Sequence, residues 1–377
     1  MYNQYIGEDI LYLMFYAGVT VLNLIACCYL LFRRSNAIAP DVTPPVRLRR
    51  WTAAFFAAAA LSHLWNLPMY IPTSGRDVML SYLVGGLLDC LTVGPLAFII
   101  LFALLQDRRR PLWPAWLMTA PPVVIMALSV ATHSYDFLPL LYGYFLPLSI
   151  GLIIYMVRAV RQYGRWLRDN YADLEYKEVW HSFVVLALTL LGLGIYTFTV
   201  EGLALEYVIQ LIDVVLVCYL VWRVETLSDL SVACPLSTER EPAAEDMTDE
   251  DLSSTAHDKI GVLLQRHCID TQLFLQHNLT IHQLATAVGT NRSYLSQYFS
   301  RQGTTYNAYI NGLRIDHFVG LYRQAVAAKQ HITVRQMAQN SGYRNYTTFS
   351  NAFKQRMGKN VTAWMQDGDG EHQSSEI

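Results

Sequence analysis

The sequence predicts an all-α protein in two parts: a seven-helix transmembrane bundle, then a small cytoplasmic domain of two similar helix-turn-helix units. Three observations predict this. Long apolar runs crowd the first 224 of the 377 residues, basic residues collect in alternate loops between those runs, and one short pattern is written twice between residues 279 and 353.

A hydrocarbon core of about 30 Å takes roughly 20 helical residues to cross. Seven stretches reach that length, near residues 10–32, 51–72, 78–105, 112–132, 136–157, 180–200 and 206–223. The first follows Glu8 and Asp9 in a short external N-terminus (residues 1–9) rather than a basic segment, so it reads as a span and not a cleaved leader. In the third, Gly85, Gly86, Gly94 and Pro95 predict a kink, and Pro121-Pro122 predicts a distorted interior for the fourth.

Orientation follows from the loops. Those after spans one, three and five hold Arg33, Arg34, Arg47, Arg49, Arg50, Arg108, Arg109, Arg110, Arg158, Arg161, Arg165, Arg168 and Lys177, whereas the N-terminus and the opposite loops hold only Arg76. The excess of positive charge marks the cytoplasmic side. The N-terminus is expected outside and the C-terminal half in the cytoplasm, in a bacterial inner membrane. Arg158, Arg161, Arg165 and Arg168 are spaced 3-4-3, which places them on one helical face suited to anionic lipid at the inner leaflet.

A net charge of −2 conceals strong partition. Residues 225–256 carry nine acidic side chains against one basic, and read as a flexible linker after the 10–224 membrane domain. Residues 257–366 carry twelve basic against three acidic, a charge that suits a phosphate-bearing partner, and 367–377 form an acidic tail. The six cysteines show no CxxC spacing, so neither disulfides nor structural zinc are expected.

The repeated pattern reads LTIHQLATAVGTNRSYLSQYF from Leu279 and ITVRQMAQNSGYRNYTTFSNAF from Ile332. Thr280 is placed to cap a helix whose inward face is Ile281, Leu284, Ala285 and Val288, and Gly289 supplies the turn. A second helix over 291–301 packs Leu295 and Phe299 back on the first. Thr333, Met337, Ala338, Gly342, Phe349 and Phe353 repeat the plan, and Tyr306 to Ala328 forms a joining helix. Such pairs place the second helix in a major groove. The outward residues are short, polar or basic: Asn291, Arg292, Ser293, Ser296 and Gln297 in one unit, and Arg344, Asn345, Tyr346, Thr347, Ser350, Asn351 and Lys354 in the other. Asn, Gln and Arg can pair with base edges, while Ser, Thr and Lys reach bases or phosphates.

Residues 257–365 resemble the DNA-binding domain of the AraC/XylS family of bacterial transcription regulators. The TxxxLA…G…YLSxxF core, the YINGLRI run (Tyr309 to Ile315) and GYxNxxxFSxxFK from Gly342 to Lys354 carry the resemblance. Val361 and Met365 stand where that family has Pro and Arg in its closing motif. The resemblance implies two recognition helices, near 291–301 and 345–356, with Ser293, Ser296, Gln297, Thr347, Ser350 and Asn351 toward bases.

No HExxH, GxSxG, GxGxxG, Walker or kinase pattern occurs, so no enzymatic activity, cofactor or metal is expected. The notable polar groups inside spans are His63, Asn66, Asp89, Gln210 and Asp213, with Asn23. At about 1.5 Å per residue, His63, Asn66, Asp89 and Asp213 fall at overlapping depths of roughly 9–16 Å, as one signal-sensing pocket would require. The expected function is a membrane-integrated one-component transcription regulator that binds double-stranded promoter DNA, spans the bilayer, forms a homodimer and responds to an unknown signal ligand. Two alternatives stand beside it: a membrane enzyme or transporter-like protein with an autoregulatory DNA-binding domain, and proteolytic release of the cytoplasmic domain.

Overall fold

The computed structural model describes residues 9–33, 36–40, 42–71, 74–106, 111–174, 177–185, 203–230, 254–328 and 333–366. Helices dominate, and the described residues contain no strand beyond one isolated bridge between Tyr171 and Thr280. The chain divides into two compact units: Met1–Tyr163 with Tyr176–Leu230, and Gly164–Glu175 with Ser231–Ile377.

The first unit contains α1 (Ile10–Phe32), α2 (Val46–Asn66), α3 (Gly75–Leu91), α4 (Val93–Leu104), α5 (Trp113–Thr132), α6 (Leu138–Asn170, whose last turns fall in the second unit) and α7 (Leu203–Thr226). Asp9 starts α1 by accepting the Tyr12 backbone N–H at 3.0 Å. Among the described residues, five helical stretches are long and apolar enough to cross a membrane: α1, α3 with α4, α5, α6 and α7. α2 is 21 residues long but opens with Arg47, Arg49 and Arg50. It buries Ala53, Ala58, Ala59 and Ala60, small side chains that let neighbouring helices approach. The sixth expected span, 180–200, lies outside the described residues beyond position 185. Large apolar side chains such as Leu11 and Phe32 stand more than 70% exposed, at 73% and 79%, as a lipid-facing surface requires.

The structure refines the expectation about the third run and shows how the fourth accommodates its prolines. The interruption of the third run falls at Thr92, where Pro95 has no N–H for the Leu91 carbonyl, while Gly85 and Gly86 stay helical. At Gly85 the missing side chain serves close approach instead: a Cβ there would lie 1.9 Å from Asn66 Oδ1. α5 runs unbroken through Pro121 and Pro122. Pro122 cannot donate to the Met118 carbonyl four residues back, and the Tyr144 hydroxyl donates to that oxygen at 2.8 Å.

α6 carries the fifth span straight into the arginine face. Arg158, Arg161, Arg165 and Arg168 are all exposed, and Met156, Ala159, Tyr163 and Leu167 are buried on the opposite side. α7 extends to Thr226, so the first residues assigned to the linker are structured. Glu225 is buried and accepts the backbone N–H groups of Ala37 and Ile38 at 3.1 and 2.9 Å. Residues 231–253, most of the expected linker, and the tail 367–377 lie outside the described residues.

The second unit holds α8 (Ser254–Leu264), α9 (Ile281–Val288), α10 (Arg292–Arg301), α11 (Tyr306–Ala327), α12 (Val334–Asn340) and α13 (Tyr346–Met357). Thr280 with Gln283 forms a capping box on α9, and Thr333 with Gln336 forms the same box on α12. Leu284, Ala285, Val288, Leu295 and Phe299 make one core with Ile310 of α11. Met337, Ala338, Phe349 and Phe353 make a second with Ile315 and Phe318 of the same helix. One joining helix therefore serves two helix pairs of the same construction.

Residues 361–366 close the unit as a further helical turn. Asn360 Oδ1 accepts the Ala363 N–H at 2.8 Å, so Val361 occupies the first helical position and is buried in the second core. A proline suits that position because no N–H is needed there, and valine is equally free of a lost bond.

Candidate functional site

The exposed faces of α10 and α13 carry the residues singled out for nucleic acid. Arg292 and Ser293 are exposed, and Ser296 and Gln297 are half-buried at the flank of α10. Arg344, Tyr346, Thr347, Asn351 and Lys354 are exposed on or beside α13, with Ser350 half-buried. Two of the candidates, Asn291 and Asn345, also have structural work. Asn291 Oδ1 accepts the Tyr294 N–H at 2.9 Å, and Asn345 Oδ1 accepts the Thr347 N–H at 2.9 Å. Both side chains cap their helices, which fixes how each helix leaves the turn. Phe349 and Phe353 are fully buried beneath α13, as Leu295 and Phe299 are beneath α10, so neither outward face can rotate inward cheaply.

Between the two cores lies a residue that the sequence reading passed over. Arg314 has no exposed surface, yet it sits on α11 where the helical period from Ile310 to Phe318 calls for an apolar side chain. Its Nε donates to Phe274 O at 2.7 Å and Nη2 to Gln276 O at 2.8 Å. Nη1 meets Asp173 Oδ1 at 2.6 Å, and the guanidinium carbon stands 5.4 Å from the centre of the Tyr343 ring. A charge at such burial requires a paired and hydrogen-bonded partner.

Asp173 reaches Arg314 because residues 171–173 lie along the domain as a strap. Ala172 donates its N–H to Leu279 O at 3.1 Å, and Asn307 Nδ2 donates to Ala172 O at 2.6 Å. Asn278 N donates to Asp173 Oδ2 at 2.7 Å. Ala172 is itself part of the first core. Burial pushes the nearby Cys268 thiol up to about 11 and holds the His317 imidazole below its ordinary value.

Among the membrane helices, the four polar residues expected to form one pocket divide. His63, Asn66 and Asp89 line a cavity of about 480 Å³. Asp213 does not line it: its Oδ2 accepts Asn23 Nδ2 at 2.8 Å and lies 3.9 Å from His63 Nε2. His63 Nδ1 lies 2.8 Å from Ala59 O, and Nε2 lies 3.0 Å from Gln210 Oε1. Asp89 accepts Trp65 Nε1 and Asn66 Nδ2, each at 3.1 Å.

The cavity also holds Glu206, which lies in the first turn of α7. Tyr12 and Tyr70 hydroxyls donate to Glu206 Oε2 at 3.2 and 3.0 Å. Their spacing along the chain gives no hint of this meeting.

Among the described residues no group of three His, Cys, Asp or Glu side chains is placed to hold a metal ion. Residues 284–367 match a family model described as a helix-turn-helix domain. Comparison with curated proteins and with solved structures returned no match.

Proposed function

From the AraC-type helix-turn-helix domain at residues 284–367, which marks a DNA-binding transcription regulator, we propose a membrane-integrated one-component regulator. Its C-terminal domain reads promoter DNA through α10 and α13, two recognition helices set in successive major-groove segments by α11. Ser293, Ser296, Gln297, Thr347, Ser350 and Asn351 face bases, and Arg292, Arg344 and Lys354 face phosphates. Seven spans, the N-terminus outside a bacterial inner membrane and the domain in the cytoplasm complete the reading. Two copies of the chain occupy adjacent sites.

One observation carries the proposal: a matched DNA-binding domain and five span-length apolar helices belong to one chain. The signal enters at the cavity lined by His63, Asn66 and Asp89, because polar groups at such depth are costly and face the bundle interior where they act. Ligand binding there favours one of two arrangements of the bundle.

Genome-wide mapping of bound DNA tests the whole reading. The full chain, expressed with and without candidate signals, is expected to occupy a small set of promoters whose occupancy changes with one signal. Occupancy that never changes would leave a constitutive DNA-binding protein. The cavity also supports a second reading, a transporter-like or enzymatic membrane protein that regulates its own expression. Turnover or transport by a variant unable to bind DNA decides for it.

A further inference from the structure

The wall of the cavity has an unusual charge balance. Asp89 and Glu206 both face it, and no lysine or arginine among the described residues lines it. Each carboxylate takes two neutral donors, Trp65 and Asn66 for one and Tyr12 and Tyr70 for the other. Neutral donors orient a carboxylate and satisfy its lone pairs without cancelling its charge. The one basic side chain in the wall is His63, whose ring nitrogens face Ala59 O and Gln210 Oε1 and whose ion-pair partner is Asp213, outside the wall. Asp89 inside its span and Glu206 in the first turn of α7 leave the wall with two carboxylates and no cation of their own, which is costly.

The rest of the wall suits an organic body. Tyr16, Tyr70, Tyr82 and Phe145 bring aromatic rings to the cavity, and Met126 and Ile209 add apolar surface. Tyr16 and Tyr70 meet edge to face with centroids 5.2 Å apart, which fixes their orientation. Aromatic faces combined with carboxylates recognise ammonium groups, through the ring quadrupole and through Coulomb attraction. A volume of about 480 Å³ falls in the range of small-molecule sites and exceeds what a bare metal ion needs.

We propose that this cavity binds an organic cation, an ammonium group carried on an apolar body, with Asp89 and Glu206 supplying the countercharge and the tyrosines the walls. This rests on the cavity being the signal site, and it names the class of the signal.

The test uses the full chain in nanodiscs of zwitterionic lipid, with protein-free nanodiscs as the blank. Three probes of similar shape separate charge from size: benzyltrimethylammonium, its neutral carbon analogue neopentylbenzene, and phenylmethanesulfonate. Calorimetry is expected to show saturable binding of the cation alone. The isosteric variants Asp89→Asn and Glu206→Gln are each expected to weaken it about tenfold or more. Neopentylbenzene binding within about threefold of the cation overturns the proposal. So does unchanged affinity in both variants, or no cation binding at millimolar concentration. The probe comparison on the unaltered chain stands even where a variant fails to fold. Promoter occupancy separates this proposal from the reading beneath it. Cation binding that leaves occupancy unchanged upholds the ligand class and removes the signal role. A promoter response to a neutral or anionic compound, lost in the cavity variants, upholds the signal role and overturns the cation.

Discussion

Arg314 Nη1 and Asp173 Oδ1 lie 2.6 Å apart across 141 residues of chain, with the arginine side chain fully buried and the aspartate 13% exposed. The guanidinium also holds the carbonyls of Phe274 and Gln276 and faces Tyr343 of the second helix pair. Removing one partner of a buried ion pair leaves the other uncompensated, at a cost of about 3–5 kcal/mol. Asp173→Ala is therefore expected to destabilise the DNA-binding domain by about that amount, and Asp173→Asn by less because its amide oxygen still accepts. Alkylation at Cys268, a buried thiol held at about 11 and so unreactive near neutrality, reports the opening. Mass spectrometry should find Cys268 protected in the unaltered chain and labelled far sooner in Asp173→Ala.

A fragment of residues 254–366 lacks the strap and is expected to be less stable than the same fragment supplied with a peptide of residues 164–175. Chemical denaturation with and without the peptide measures the difference. Equal midpoints at saturating peptide would show that the strap contributes nothing to the domain.

The two turn glycines separate conformational strain from crowding. Both have positive φ, 76° at Gly289 and 89° at Gly342. A Cβ at Gly289 meets nothing within 4 Å, whereas one at Gly342 would lie 2.8 Å from Leu275 O. Gly289→Ala is expected to cost about 1–2 kcal/mol, the left-handed penalty alone. Gly342→Ala is expected to cost about 2–5 kcal/mol because overpacking adds to that penalty. Urea unfolding of the two variants checks the order.

On DNA, Gln297→Ala and Asn351→Ala are expected to relax discrimination at single base pairs by about 1–3 kcal/mol each. Arg344→Ala and Lys354→Ala should weaken all sequences alike and flatten the salt dependence. Asn291→Ala follows a third course: loss of a helix cap, about 1 kcal/mol of stability, with base preference retained. Binding-site selection and melting curves distinguish the three.

Reporter fusions test orientation. Those after Arg34, Arg110, Lys177 and Val224 are expected to report cytoplasm, and those near Arg76 and His133 the outside. An external signal from the fusion after Val224 would remove the domain from its DNA.

What the sequence made legible was local. The second helix of each pair was expected over 291–301 and 345–356, and these helices run from Arg292 to Arg301 and from Tyr346 to Met357. Caps, turn glycines and i, i+4 apolar pairs lie within one helix of each other, so a short window contains them. At Pro121-Pro122 the donor that serves the Met118 carbonyl, Tyr144, belongs to another helix and could not be read from the local sequence. The meeting of His63, Asn66 and Asp89 around one cavity was half legible, since depth can be counted along a span but rotation about its axis, which turns Asp213 away, cannot. The Asp173–Arg314 pair was not legible at all: nothing in either neighbourhood points to a partner so far away.

The strap makes the DNA-binding domain discontinuous in sequence, and this has a consequence in time. Translation at about 5–20 residues per second makes Asp173 on the order of ten seconds older than Arg314. Throughout that interval the strap waits, while the last membrane helix and the acidic stretch leave the ribosome. The strap gains its partners only when the helix bearing Asn307 and Arg314 has emerged, so this folding step is tied to a part of the chain synthesised well before it, between two apolar helices.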